Sequence, residues 1–122
     1  MEYHRSTSLD TARLKRAILH RRARNEAQRL VTLEQAKRWL TAEGKRYGID
    51  QAYLFGSVIR PYRFTEKSDL DIAVETIQPD TFFDALAHLS EAVGRDVDLV
   101  DLSKCHFAER IRQRGLQWKK PI

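Results

Sequence analysis

The chain has a single cysteine, only three prolines and no long apolar run in its 122 residues. With Cys105 alone, neither a disulfide nor a cysteine-based zinc site can form within one chain, which suits a reducing cytoplasm. No apolar stretch approaches the roughly 20 residues that span a bilayer, and the polar segment Met1 to Asp10 lacks the core of a signal peptide. The expectation is a soluble, cytoplasmic protein. His4, His20, His88 and His106 have no metal-ligand spacing, and the adjacency of Cys105 and His106 does not make a catalytic pair. Internal repeats and low-complexity segments are absent. The length suffices for one core but not for separate substrate and template domains.

Positive charge is plentiful and unevenly spread. The formal net charge is +5, yet residues 1–48 carry twelve basic against five acidic side chains while residues 49–122 are net acidic. A basic segment of this kind can bind nucleic acid or an acidic partner protein, or it can be a solvated helix face. This suggests a basic helical extension over residues 1–31 and a folded domain over 32–122. Helical pattern runs from near Leu9 to about Tyr47, with Gly48 as its stop. Unbroken, it would stretch roughly 57 Å at 1.5 Å per residue, longer than a domain of this size. Either it breaks or it overhangs. Thr32 with Gln35 three residues on forms a capping box that predicts a restart. The second half carries the better apolar stripe, Leu33, Ala36, Leu40 and Tyr47; the first offers Leu14 and Ile18 among arginines.

Downstream, Ala52 to Phe55 reads as a strand delivering Gly56-Ser57, and residues 58–68 read as a loop or short helix containing Pro61. Leu70 to Val74 gives a second strand. Pro79 and Asp80 open a helix with Phe82, Leu86, Leu89 and Val93 at helical spacing, closed by Gly94; Phe82 and Phe83 read as core. Asp96 to Leu102 forms a third strand, and a last helix from Ser103 carries Phe107 and Ile111. The order α-β-α-β-α-β-α predicts an α/β or α+β sandwich, a small sheet of three or more strands under helices.

The chemistry concentrates in three short pieces. Glycine lets a backbone approach a phosphate closely, and a serine at a helix start offers N–H and hydroxyl donors, although Ser57 could equally be a cap. On a strand, residues i and i+2 share a face roughly 6.6 Å apart. Asp69 and Asp71 therefore point one way, while Leu70 and Ile72 point into the core. Carboxylates so close repel unless a cation lies among them, and Mg²⁺ takes such oxygens together with substrate phosphates. Asp98 supplies a third carboxylate; Asp96 shares its face and is the alternative, while Asp101 falls on the opposite alternation. Arg60, Arg63 and Lys67 divide between surface and phosphate attraction. Together these residues point to metal-dependent chemistry on a nucleoside triphosphate.

Leu54-Phe55-Gly56-Ser57, Arg60, Ser68-Asp69-Leu70-Asp71-Ile72-Ala73-Val74 and Val97-Asp98-Leu99-Val100, in that order, resemble the minimal nucleotidyltransferase domains of the DNA polymerase beta-like superfamily. The likeness covers about residues 33–116 and is nearest to the MNT antitoxins that accompany HEPN ribonuclease toxins. It implies transfer of AMP from ATP to a tyrosine hydroxyl of the toxin, in a hetero-oligomer with it. By position, Asp69 and Asp71 would hold Mg²⁺, in two ions, with Asp98 sharing a metal or taking the acceptor's proton. Gly56 and Ser57 would bind the triphosphate, with Arg60 reaching it as well. Pro61 stands where the family usually has glycine, and the spacer from Ser57 to Asp69 is about one residue longer. A non-catalytic antitoxin that works by contact, or a basic nucleic-acid-binding module, are the competing expectations.

Overall fold

The computed structural model describes residues 2–122, and side chains from residue 10 onward, so the reading of His4 lies outside the described residues. Helix α1 spans Glu2–Glu43 without a break. No glycine or proline interrupts it, and its Ala, Arg, Leu, Glu and Gln residues are strong helix formers. A 3₁₀ turn, Gly44–Tyr47, ends it at Gly48, whose φ of 77° is left-handed.

The expected restart at Thr32 does not occur. Arg29, Thr32, Ala36 and Leu40, spaced three or four apart, form one buried stripe. That packing carries the helix through residue 32 and buries the Thr32 hydroxyl within it, where it has no hydrogen-bond partner among the described residues. A stripe continuous across the site of a capping box overrides the box. At 1.5 Å per residue α1 is about 63 Å long, and its described residues 10–24 project exposed on every side. The helix overhangs.

Four strands follow: β1 (Gln51–Phe55), β2 (Leu70–Val74), β3 (Val97–Asp101) and β4 (Leu116–Lys119). They lie in the order β3-β2-β1-β4. β1 is antiparallel to both neighbours, whereas β2 and β3 are parallel and joined through helix α2 (Phe82–Val93). One sheet face, carrying Ala52, Leu54, Leu70, Ile72, Val74 and Leu99, packs on Ala36, Trp39 and Leu40 of α1 and on Ala85, Leu89 and Val93 of α2. On the other face, Tyr53 and Ala73 meet Ala108 and Ile111 of the short helix α3 (Ala108–Arg114). α3 is tied across the sheet by Arg112, which donates to Glu75 at 2.8 and 3.0 Å.

The C-terminal segment departs from the expected single helix. A 3₁₀ turn, Leu102–Lys104, comes first, with the Asp101 carboxylate accepting from the Ser103 amide and hydroxyl. α3 starts only at Ala108, so Phe107 precedes it and is exposed. β4 then adds a fourth strand after that helix. Gly115 permits the tight entry to it: a Cβ there would lie 2.7 Å from the Ile111 carbonyl and 3.0 Å from the Tyr53 Cβ. Phe82 is half-buried, but Phe83 is 78% exposed and is not core. With Phe107 it lines an aromatic cleft beside the far end of β3, away from the carboxylates.

Candidate active site

The site is built on the sheet face that α3 covers only in part. In β1 and β2, Phe55 stands opposite Asp71 and Tyr53 opposite Ala73. In β2 and β3, Asp71 stands beside Asp98 and Ala73 beside Val100. The row Tyr53–Ala73–Val100 belongs to the small core under α3. The next row, Phe55–Asp71–Asp98, lies at the open end of the same face. The strand alternation that buries Leu70 and Ile72 thus leaves Asp71 and Asp98 side by side, and Asp69 at the mouth of β2. Asp98 rather than Asp96 occupies the place beside Asp71; the carbonyl of Asp96 accepts from the Leu70 amide, where the two strands begin to pair.

Gly56 closes the site from β1. Its φ of 71° lies in the left-handed region, and a Cβ built on it would come within 2.2 Å of the Asp71 Oδ2. Backbone conformation and close approach both demand glycine here. It opens a 3₁₀ turn, Gly56–Ile59, whose capping position is Phe55, so Ser57 sits inside the turn and does not cap it. The Ser57 carbonyl accepts from the Arg60 amide at 3.1 Å. Arg60, Arg63 and Lys67 are exposed on the loop beyond. The turn and the carboxylates are brought together; the Arg60 guanidinium forms no hydrogen bond or ion pair among the described residues.

Electrostatics mark Asp71 as the centre. Burial, then Asp98, then Asp69 push its carboxyl up to about 6 from 3.8. None of the three carboxylates accepts a hydrogen bond or forms an ion pair among the described residues; the Arg95 guanidinium favours Asp69 alone, while every influence on Asp71 raises it. This donor set suits a hard cation. It is not a closed cage, since among the described residues no three acidic, histidine or cysteine groups stand placed to hold an ion. Mg²⁺ needs no such cage, because it is commonly held by one or two carboxylates plus substrate phosphates. The residues therefore fit a metal shared with a nucleotide.

Three residues that motif reading passes over hold this end of the sheet. Arg95 Nη1 donates to the Ser68 carbonyl at 2.7 Å and to the Thr65 carbonyl at 3.2 Å, fixing the approach to Asp69. Its guanidinium lies over the buried Phe64 ring at 4.1 Å, and burial lowers its pKa while Asp69 opposes the shift. Arg29 and Glu26 of α1 reach the loop after Gly56 from the other side. No sequence signal marks these three, because each acts through a backbone atom of a distant segment.

The same architecture occurs in solved structures. A toxin–antitoxin complex with AMP-PNP shares 27% identity at a TM-score of 0.56, covering 70% of this chain and 73% of that one. The toxin–antitoxin pair MntA-HepT matches at 24% identity and a TM-score of 0.53 over 72% of this chain and 73% of that one. A complex of MNT antitoxin with tri-AMPylated HEPN toxin from Shewanella oneidensis matches at 24% and 0.52 over 73% of each chain. No curated protein sequence matches the chain. A family profile described as polymerase beta, nucleotidyltransferase matches residues 34–117, which take in β1 to β3, the start of β4, the Gly56 turn and all three carboxylates. The protein belongs to the polymerase beta nucleotidyltransferase family.

Proposed function

We propose that the protein is an antitoxin that transfers AMP from ATP to a tyrosine hydroxyl of a HEPN-type toxin, with Mg²⁺ as cofactor. The observation that carries this is the row of Asp71 and Asp98 on adjacent strands, abutting Gly56. Family membership supports nucleotidyl transfer, and the similarity to a toxin–antitoxin complex with AMP-PNP supports a nucleotide and a toxin as the two ligands.

In this reading the Gly56 turn, with the free Ser57 hydroxyl, receives the triphosphate, and Arg60 on the exposed loop swings onto it. Asp69 and Asp71 would hold the cations, two in number, which when bound would neutralise phosphate charge and steady the leaving oxygen. The tyrosine oxygen attacks the α-phosphorus, its bond to the β-bridging oxygen breaks, and pyrophosphate departs. Asp98 takes the proton released by the tyrosine, or would serve as a further carboxylate for a cation. The remaining work is alignment and charge, as in phosphoryl-type transfers generally.

The projecting half of α1 favours a second role. Leu14, Ile18 and Leu19 stand exposed among arginines, a surface suited to an acidic, partly apolar partner. We assign the exposed part of the extension, up to about residue 25, to toxin contact and residues 32–122 to catalysis, in a hetero-oligomer, with Glu26 and Arg29 between them facing the catalytic domain. If contact alone neutralises the toxin, Asp71→Asn keeps neutralisation and loss of the projecting helix abolishes it. Incubation with Mg²⁺, labelled ATP and the toxin separates the readings: the wild type labels the toxin and a folded Asp71→Asn does not. Equal labelling by both would refute the site.

A further inference from the structure

The turn that begins at Gly56 is gripped by a part of the chain outside the family-matched region. Arg29 lies on α1, five residues before residue 34, where the match starts. Its side chain is only 9% exposed and that of Glu26 only 18%. Arg29 donates from Nε to both Glu26 oxygens at 3.0 Å and from Nη2 to Oε1 at 2.6 Å. Its remaining arm, Nη1, donates to the carbonyl of Val58, inside the Gly56–Ile59 turn, at 3.0 Å. Glu26 Oε2 in turn accepts from the backbone amide of Tyr62 at 2.9 Å. Tyr62 is the one described non-glycine residue with positive φ, at 64°, and the Arg22 guanidinium lies over its ring at 5.1 Å.

Each part of this pair is set by the others. The Glu26 carboxyl is held below its usual range first by Arg29 and then by the Tyr62 amide. Arg29 is buried with its charge intact because Glu26 answers it. A buried ion pair is a weak source of stability, since desolvation offsets most of the attraction; well-packed apolar residues often do as well. What this pair supplies that an apolar pair cannot is direction. It fixes one carbonyl of the turn and one amide of the loop, four residues apart, from a single rigid helix. The loop is the segment that contains Pro61 and the longer spacer, and its left-handed residue is costly without an external hold.

We propose that Glu26 and Arg29 are positioning residues, which clamp the Gly56–Ile59 turn and Tyr62 to α1 so that nucleotide affinity depends on that helix. The proposal rests on the nucleotidyl-transfer reading for its second readout only. It predicts that whatever docks on the projecting half of α1 is mechanically joined to the triphosphate turn by two side chains.

The test uses the full-length protein with Arg29→Met, Glu26→Gln and the conservative Arg29→Lys. Amide hydrogen exchange is measured without nucleotide, and ATP dependence is measured in the labelling reaction. In Arg29→Met, exchange at residues 57–63 should accelerate about tenfold while β1 and β2 amides hold, and KM for ATP should rise about tenfold with a much smaller change in kcat. Arg29→Lys should recover part of both. If Arg29→Met proves unstable, Glu26→Gln, which keeps the shape and removes the charge, should show the same local pattern more weakly. Exchange at 57–63 that stays at the wild-type rate, or that rises only in step with β1 and β2, would overturn the proposal. So would an unchanged KM beside a lowered melting temperature. A wild type that transfers no AMP counts against the reaction instead, and the exchange comparison still decides the clamp.

Discussion

At Gly56 the backbone and the neighbouring carboxylate impose the same residue for two unrelated reasons. Gly56→Ala must accept a left-handed alanine and also displace the Asp71 carboxylate, which a Cβ would meet at 2.2 Å. The expected cost is about 1–3 kcal/mol of folding stability, seen in denaturant unfolding, together with loss of nucleotide transfer. A variant that unfolds and transfers like the wild type would show that the turn and Asp71 do not touch. Asp71 makes a second prediction, in pH. Its carboxyl is raised to about 6, so the folded state binds that proton more tightly than the unfolded chain does. Its contribution to stability is therefore full below the ordinary value of 3.8 and is lost as pH rises through about 6. Metal-free protein should lose thermal stability between pH 4 and 7 at this group, and Asp71→Asn should flatten that segment of the curve and raise the melting temperature at pH 8. A parallel curve for the variant would remove Asp71 as the source. The repulsion that makes the residue costly without metal is the feature that suits it to a cation.

Elements were legible in the sequence wherever one face had to be buried. Period-two alternation places Leu70 and Ile72 in the core and leaves Asp71 and Asp98 on the shared open face, and helical spacing finds α2 and its Gly94 stop. The capping box at Thr32 misleads because a local signal competes with a stripe of tertiary contacts from Arg29 to Leu40, and the contacts win. Thr32 shows this directly: it is fully buried, and its hydroxyl has no partner among the described residues. Thr32→Val should raise stability by about 1 kcal/mol in chemical denaturation, since an unsatisfied buried hydroxyl is replaced by a methyl of similar size. A loss of similar size would mean that the hydroxyl has a partner. β4 escapes notice for a different reason. Leu116-Gln117-Trp118-Lys119 does alternate apolar and polar residues, but over only four positions directly behind a helical pattern, and it becomes a strand by pairing with β1 over Gln51 to Leu54. Phe83 and Phe107 fit a helical pattern on paper, but their positions face a cleft and not the core.

At the scale of the whole molecule, the acidic site and the basic helix are parts of one body, since α1 both packs on the sheet and overhangs it. No helix among the described residues is long and apolar enough to cross a membrane. The overhang allows a clean dissection. Removing residues 1–19 spares Arg21, which donates to Glu66 of the loop at 2.6 Å, and Glu26 and Arg29 with their contacts to it, so the shortened protein should keep its melting temperature within a few degrees and still bind ATP analogues. On the proposed division of roles it should lose affinity for the toxin, measured by titration calorimetry, by about tenfold or more. Undiminished affinity would place the toxin interface elsewhere, the aromatic cleft at Phe83 and Phe107 being the next surface to test.

On the proposed function, Asp69, Asp71 and Asp98 beside Gly56 transfer AMP. The most direct measurement is intact-mass spectrometry of the purified toxin after incubation with ATP, Mg²⁺ and either the wild type or a folded Asp71→Asn. The account predicts a toxin heavier by one or more AMP groups with the wild type, the added mass mapping to tyrosine, and an unchanged toxin with the variant. An unmodified toxin in both reactions, with the toxin nonetheless silenced, would contradict it and leave a protein that neutralises by contact.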